Sequence, residues 1–249
     1  MTCDLYVGLV LYVYIGEQFL DLYDKGVKLE VPAMDGSTTP LITASYSGCL
    51  PIVGLLLSEG VEVDKAGQHG MNALMVAAST GNADAVDMLL ENGADVHFKH
   101  KFAQSTPLHY AAEMSHVAVI KKLCEYGAEA KAVNSVGRST MVFNVYTDHY
   151  ISHSMIVIGI TPLHLAAHSG ANASIGALYQ YCSADVDVMI RESDIDGSAN
   201  RITEQSNATP LYLAAQSGHA DVINTLLELG ANVHSKLPVK STEHTESLV

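Results

Sequence analysis

The sequence is short of positive charge. Among 249 residues there are 13 lysines and arginines against 27 aspartates and glutamates, a formal net charge of −14. Non-specific nucleic-acid binding depends on neutralising phosphates with basic side chains, so that class of function is excluded. Docking on anionic membrane surfaces is disfavoured for the same reason. Such a chain is expected to be repelled by polyanions and to stay in solution. Long apolar runs are missing as well. The greasy N-terminal stretch Leu5–Ile15 spans 11 residues, against the roughly 20 that a membrane helix needs, so no membrane insertion is expected. Asp4 precedes it and no basic segment does, so no secretory signal peptide is expected. The sequons at Asn172 and Asn207 should then carry nothing.

Cysteine is scarce: Cys3, Cys49, Cys124 and Cys182. None has the spacing of a C-x-x-C redox site or a zinc knuckle. Scattered free thiols suit a reducing compartment, the cytoplasm or the nucleus, and are expected to serve as small buried hydrophobes. Enzyme signatures are lacking too. No P-loop occurs, and no G-x-G-x-x-G opens a helix after a strand. No G-x-S-x-G elbow is found. The carboxylates are plentiful but dispersed, so no paired acid–base site can be argued. No catalytic residue and no cofactor is therefore expected.

What the chain does have is a repeat. Its best copy is Thr161-Pro162-Leu163-His164-Leu165-Ala166-Ala167-His168-Ser169-Gly170. The central leucine recurs at Leu41, Leu74, Leu108, Leu163 and Leu211, and 19 residues later stand Gly60, Gly93, Gly127, Cys182 and Gly230. Recurrence at a fixed period is read before anything else, because it sets the fold. Each unit has a physical logic. Thr at the N-cap takes an orphan amide. Pro in the first helical position loses nothing by lacking its N–H. Leu and small Ala residues give a short first helix that neighbours can approach closely. A glycine (Gly48, Gly81, Gly170, Gly218) ends it in left-handed geometry. A second helix follows, with apolar residues such as Val222, Ile223, Leu226 and Leu227 at helical spacing.

TPLH at 106–109 and 161–164, TPLYLAAQSGHADVINTLLELGANV at 209–233, and the 33-residue interval from Leu41 to Leu74 resemble the ankyrin-repeat family over about residues 17–234. The resemblance implies an all-α solenoid of helix–turn–helix units, with β-hairpin fingers projecting at right angles. On this reading residues 1–32 form a degenerate N-terminal capping repeat, 33–234 an array of five units, and 235–249 a flexible tail. The family's TPLH histidine usually bonds between adjacent repeats, which accounts for His164 better than metal binding with His168, four residues on. His149 and His153 share that spacing and have no stronger claim.

Two intervals depart from the period. Leu163 follows Leu108 by 55 residues, and the 22-residue segment Arg138–Gly159 accounts for the excess over 33. It reads either as a functional extension of one finger or as a short intron translated in a gene model. Lengthening a connector from about 11 to about 33 residues costs only about 1 kcal/mol of closure entropy, so the array tolerates it. A second, polar insertion lies at Ser198–Asn207. At Cys182-Ser183 the other units have a single glycine, and a left-handed cysteine costs about 1–2 kcal/mol, so the local backbone is expected to relax.

The expected function is protein–protein interaction, as a non-catalytic scaffold or adaptor. The resemblance implies binding through a concave groove lined by finger tips and the exposed ends of the first helices. The helix contributions are Tyr46, Ser47, Ser79, Thr80, Glu113, Met114, His168, Ser169, Gln216 and Ser217; fingers add Gln68, His69, Met71, Phe102 and Ser105. Tyr46, Met71, Phe102 and Met114 are the sharpest candidates, because large amphipathic and adaptable side chains dominate interface energetics. Each is equally readable as packing between repeats. The run His97–Phe102 is the one basic, aromatic finger, either a solvated tip or a contact for an acidic partner. The tail Glu246-Ser247-Leu248-Val249 matches the loose pattern of a ligand for a PDZ-type domain, which would capture its carboxylate. The alternative reading is the interaction or regulatory portion of a larger enzyme or channel assembly, for which the greasy N-terminal edge is the main hint.

Overall fold

The computed structural model describes residues 38–134, 159–190 and 208–234. The expected capping repeat at 1–32, the tail at 235–249 and both insertions, apart from Gly159, lie outside them. The described residues form five helix pairs: α1 (Pro40–Ser47) with α2 (Leu50–Ser58), α3 (Ala73–Thr80) with α4 (Ala83–Glu91), α5 (Pro107–Glu113) with α6 (Val117–Glu125), α7 (Pro162–Ser169) with α8 (Asn172–Cys182), and α9 (Pro210–Ser217) with α10 (Ala220–Glu228).

The first helices begin and end where the repeat says they should. The side chains of Thr39, Asn72, Thr161 and Thr209 accept from the amides of Ile42, Met75, His164 and Tyr212, which satisfies one orphan donor at each start. Gly48, Gly81, Gly170 and Gly218 are left-handed, at φ +67°, +80°, +74° and +79°. The third unit has Ser115 there instead, at φ +63°, and its helix stops early at Glu113. At Gly81 a side chain is doubly barred: a Cβ would lie 2.6 Å from the His116 ring.

The second helices start two residues after the left-handed one. Four of them end before a glycine, Gly60, Gly93, Gly127 or Gly230, with φ between +77° and +93°. The fourth unit differs. Helix α8 runs on through Cys182, and Ser183 takes the left-handed conformation at φ +51°. The extra residue is absorbed there. The Ala184 amide donates to the Leu178 carbonyl six residues back, whereas Ala94, Ala128 and Ala231 each reach back five. The backbone thus relaxes by keeping the cysteine helical. This also corrects the expectation of free, scattered thiols: Cys182 at the end of α8 meets Cys124 near the end of α6, with a Cα–Cα distance of 5.4 Å, and the two are joined as a disulfide. Spacing in sequence, 58 residues, gave no hint of it. Cys49 is free.

The helices stack in two layers. Helices α1, α3, α5, α7 and α9 lie side by side in one, and α2, α4, α6, α8 and α10 in the other. Fully buried alanines (Ala44, Ala77, Ala111, Ala166, Ala214) line the first layer, and Leu74, Leu108 and Leu163 are buried with Leu56, Leu89, Leu123, Leu178 and Leu226 between the layers. Burying each leucine contributes about 2 kcal/mol. A smaller apolar cluster of Ile160, Leu165, Ile190, Ala208 and Leu213 seats the connectors of the last two units.

No strand occurs among the described residues. The expected β-hairpin fingers are instead turns closed by isolated backbone bonds, Gly67 N–H to the Met71 carbonyl and His100 N–H to the Ser105 carbonyl. Such short connectors hold too few paired residues for a ladder. The connector that carries the first insertion is closed at its base. Asn134 donates to the Ile160 carbonyl, Gly159 donates to the Asn134 carbonyl, and Ile160 donates to the Asn134 side chain. The stack therefore meets across the segment as though it were not there.

Candidate functional site

His109 and His164 bridge adjacent repeats. Thr106 N–H donates to His109 Nδ1 at 3.1 Å, so the proton sits on Nε2, which donates to the Ile160 carbonyl of the next unit at 3.1 Å. His164 repeats this, with Thr161 N–H on Nδ1 at 3.3 Å and the Ala208 carbonyl on Nε2 at 3.1 Å. Burial drives both rings down to a pKa of about 4, against the partial help of those carbonyls. They stay neutral and bridge repeats. Both ring nitrogens of His164 are spent, so it and His168 do not make a metal pair. His149 and His153 lie outside the described residues.

A second set of inter-repeat bonds comes from the residue after the helix stop. Asn82, His116 and His219 each follow the left-handed residue of their unit. Asn82 Nδ2 donates to the Ser45 and Tyr46 carbonyls at 2.9 and 3.0 Å. His116 Nε2 bonds the Ser79 carbonyl at 3.0 Å, and His219 Nε2 the His168 carbonyl at 2.9 Å. The acceptors are the last-turn carbonyls that a helix leaves orphaned. Polar residues just after the helix stop were the available signal. These bonds fix the ends of the first helices, where the groove residues sit.

Those ends present a mixed surface. Ser47, Ser169 and Gln216 are exposed; Tyr46, Ser79, Thr80, Glu113, Met114, His168 and Ser217 are half-buried. Several are tied to the stack: Tyr46 packs against the core, and Ser217 Oγ lies 2.9 Å from His168 Nδ1. Glu113 is the one acidic member. Its Oε2 is buried without a hydrogen-bond partner, and burial lifts its pKa to about 7.

The fingers of the second and third units form one platform. Lys101 N–H donates to the Gly70 carbonyl at 3.3 Å, and a Cβ on Gly70 would lie 2.6 Å from the Lys101 side chain. The His100 ring accepts from the Phe102 and Ala103 amides through Nδ1 and bonds the His69 backbone. Burial lowers its pKa more than the His69 carbonyl raises it. On this base Phe102 stands 56% exposed, with Lys101 Nζ 5.5 Å over its ring. In the neighbouring finger Gln68 is exposed, and His69 and Met71 are half-buried. Ser105 differs from the expectation: it is 1% exposed, because its carbonyl closes the turn and its side chain faces inward, so it is withdrawn from the partner-facing set. Residues 246–249 lie outside the described residues.

The family model for ankyrin repeats matches three times, over residues 11–100, 41–134 and 130–236. The chain belongs to the ankyrin-repeat family. Ankyrin repeats act in protein–protein interaction, and they bind rather than catalyse. Among the relatives is an ankyrin repeat and KH domain-containing protein of Caenorhabditis briggsae, 27% identical over 85% of this chain and 8% of its own length. The palmitoyltransferase ZDHHC17 of Homo sapiens is 25% identical over 81% of this chain and 32% of its own. The palmitoyltransferase AKR1 of Lachancea kluyveri is 24% identical over 79% and 28%. The chain thus spans about a third or less of the curated relatives it matches. Among the described residues, no helix is long and apolar enough to cross a membrane.

Proposed function

We propose that this ankyrin-repeat chain is a non-catalytic adaptor that holds a partner protein along the first-helix ends and the linked fingers of the second and third units. The observation that carries the reading is Phe102: a large aromatic left mostly exposed on a rigid, doubly bonded platform. Exposed aromatic anchors on pre-ordered surfaces supply binding energy at small entropic cost. Tyr46, Met71 and Met114 extend the surface, and the cytoplasm, or the nucleus, is the compartment we assign. A PDZ-type contact at the tail is a separate proposal that rests on Ser247 and Val249 alone.

The test is affinity capture from the source cell's lysate with the native chain and with a Tyr46→Ala, Phe102→Ala, Met114→Ala variant, both checked for native helix content. The proposal expects a partner that the native chain holds and the variant loses. A partner held equally by both moves the site elsewhere and overturns it.

The second reading is that this is the interaction portion of a larger enzyme or channel assembly. It is favoured by the palmitoyltransferases among the relatives and by the greasy residues 5–15. Deleting residues 1–16 discriminates: aggregation of the isolated chain, cured by the deletion, supports a lost neighbour, and a well-behaved full chain counts against it.

A further inference from the structure

We propose that Cys124 and Cys182 form a reversible redox clamp across the junction of the third and fourth repeats, oxidised by a small-molecule disulfide of the glutathione class. This site is independent of the groove. Its geometry comes from backbone placement. The Cα atoms are 5.4 Å apart, inside the roughly 4.4–6.8 Å range of disulfides. That distance exists because α8 continues two residues beyond its counterparts, through the position where they have glycine. The repeat's usual stop would have removed the cysteine. Both cysteines are half-buried, so an external disulfide can reach them, whereas structural thiols sealed in a core are inert. The pair lies in the second-helix layer. Lys121 Nζ sits 5.8 Å over the Tyr181 ring across the same junction, with Glu125 Oε1 3.9 Å from that Lys121.

The location gives the clamp its effect. The backbone between the third and fourth units takes the longest route in the array, through the segment that adds 22 residues to the period. At its base the two units are joined on the finger side by Asn134, Gly159 and Ile160. The cysteines join them on the other layer, 58 residues apart in sequence. In a stacked repeat, stability is a sum of unit and interface terms, so one weakened junction divides the array. Oxidation welds that junction, and reduction returns it to packing and the hydrogen bonds of Asn134 and His109.

The chemistry is two exchanges. One cysteine thiolate attacks a sulfur of the external disulfide, forming a mixed disulfide and releasing one small thiolate. The second cysteine thiolate attacks the bound cysteine sulfur, closing the Cys124–Cys182 bond and releasing the second small thiolate. The two protons from the cysteines end on the two released thiols. The protein dithiol is oxidised by two electrons and the external disulfide is reduced by two.

The test uses the full chain, equilibrated in glutathione buffers from fully reduced to fully oxidised. Free thiols are alkylated, and peptides are mapped without reduction. The expected result is a Cys124–Cys182 linked peptide in oxidised buffer with Cys49 still alkylated, and both thiols recovered in reduced buffer. Hydrogen exchange of α6 and α8 amides should slow at least tenfold on oxidation. The variant with Cys124→Ser and Cys182→Ser should show the faster rates in both buffers. Stable glutathione adducts without the crosslink would overturn the proposal, as would bonding to another cysteine or a bond that excess reduced glutathione leaves intact. Equal exchange rates in the two buffers would overturn the clamp.

Discussion

His109 and His164 each spend both ring nitrogens on backbone groups, and burial holds both near pKa 4 against an ordinary value of 6.5. The folded state therefore binds these protons later than the unfolded chain as pH falls. Their contribution is fully present above about pH 6.5 and is lost between there and pH 4, with no further loss below. Each histidine accounts for roughly 3 kcal/mol across that window. Glu113 runs the other way. Its folded pKa is raised from 4.5 to about 7, so its contribution is full below pH 4.5 and is lost as pH rises to 7. Denaturant titrations from pH 4 to 8 should show stability rising with pH, and replacing both histidines with glutamine should flatten the rise. Glu113→Gln should add about 1–2 kcal/mol at pH 7.5 and almost nothing at pH 4.

Each first helix ends in a left-handed residue, and the next side chain can reach back to the previous unit. Asn82→Ala removes the side-chain donor of the Tyr46 carbonyl, while the Ser45 carbonyl keeps the Gly48 amide at 3.3 Å, and should cost about 1–3 kcal/mol. Gly81→Ala forces both a left-handed alanine and a collision with the His116 ring, so it should cost more than Asn82→Ala. Equilibrium unfolding of the two variants checks the order. This scale also separates what was legible in the sequence from what was not. Caps such as Thr39 and Thr161, and the stops at Gly48 and Gly170, are local rules and were readable. So was the bridging role of His164, through its motif. The partnership of Asn82, His116 and His219 with the preceding unit was not, because it depends on how closely two helices pack. Cys124 and Cys182 escaped for the same reason, since two extra helical residues at the end of α8 bring them together. The fingers were expected as hairpins because the family has them, but the short turns at Gly67–Met71 and His100–Ser105 hold no ladder. Position alone puts Ser105 among the finger contacts, and its inward side chain is a tertiary fact.

Across the whole array, closure at the base of the long connector makes the inserted segment dispensable to the stack. Deleting residues 138–159 places Gly137 where Gly159 now stands, beside Ile160. The deletion should leave the number of unfolding transitions unchanged, with stability changed by no more than about 1 kcal/mol. Thermal unfolding of the deletion variant checks this, under reducing conditions so that the Cys124–Cys182 bond does not contribute. A transcript that retains the segment would then assign it to function and not to the fold.

The central proposal is that partners meet this molecule at the first-helix ends and the linked fingers, away from the second-helix layer. The most direct measurement places a photo-activated crosslinking residue singly at Ser47, at Phe102, or at Tyr179 in the second-helix layer, and exposes each variant to lysate. The account predicts the same partner crosslinked from Ser47 and Phe102, with no product from Tyr179. A partner crosslinked from Tyr179 and from neither of the others would contradict it.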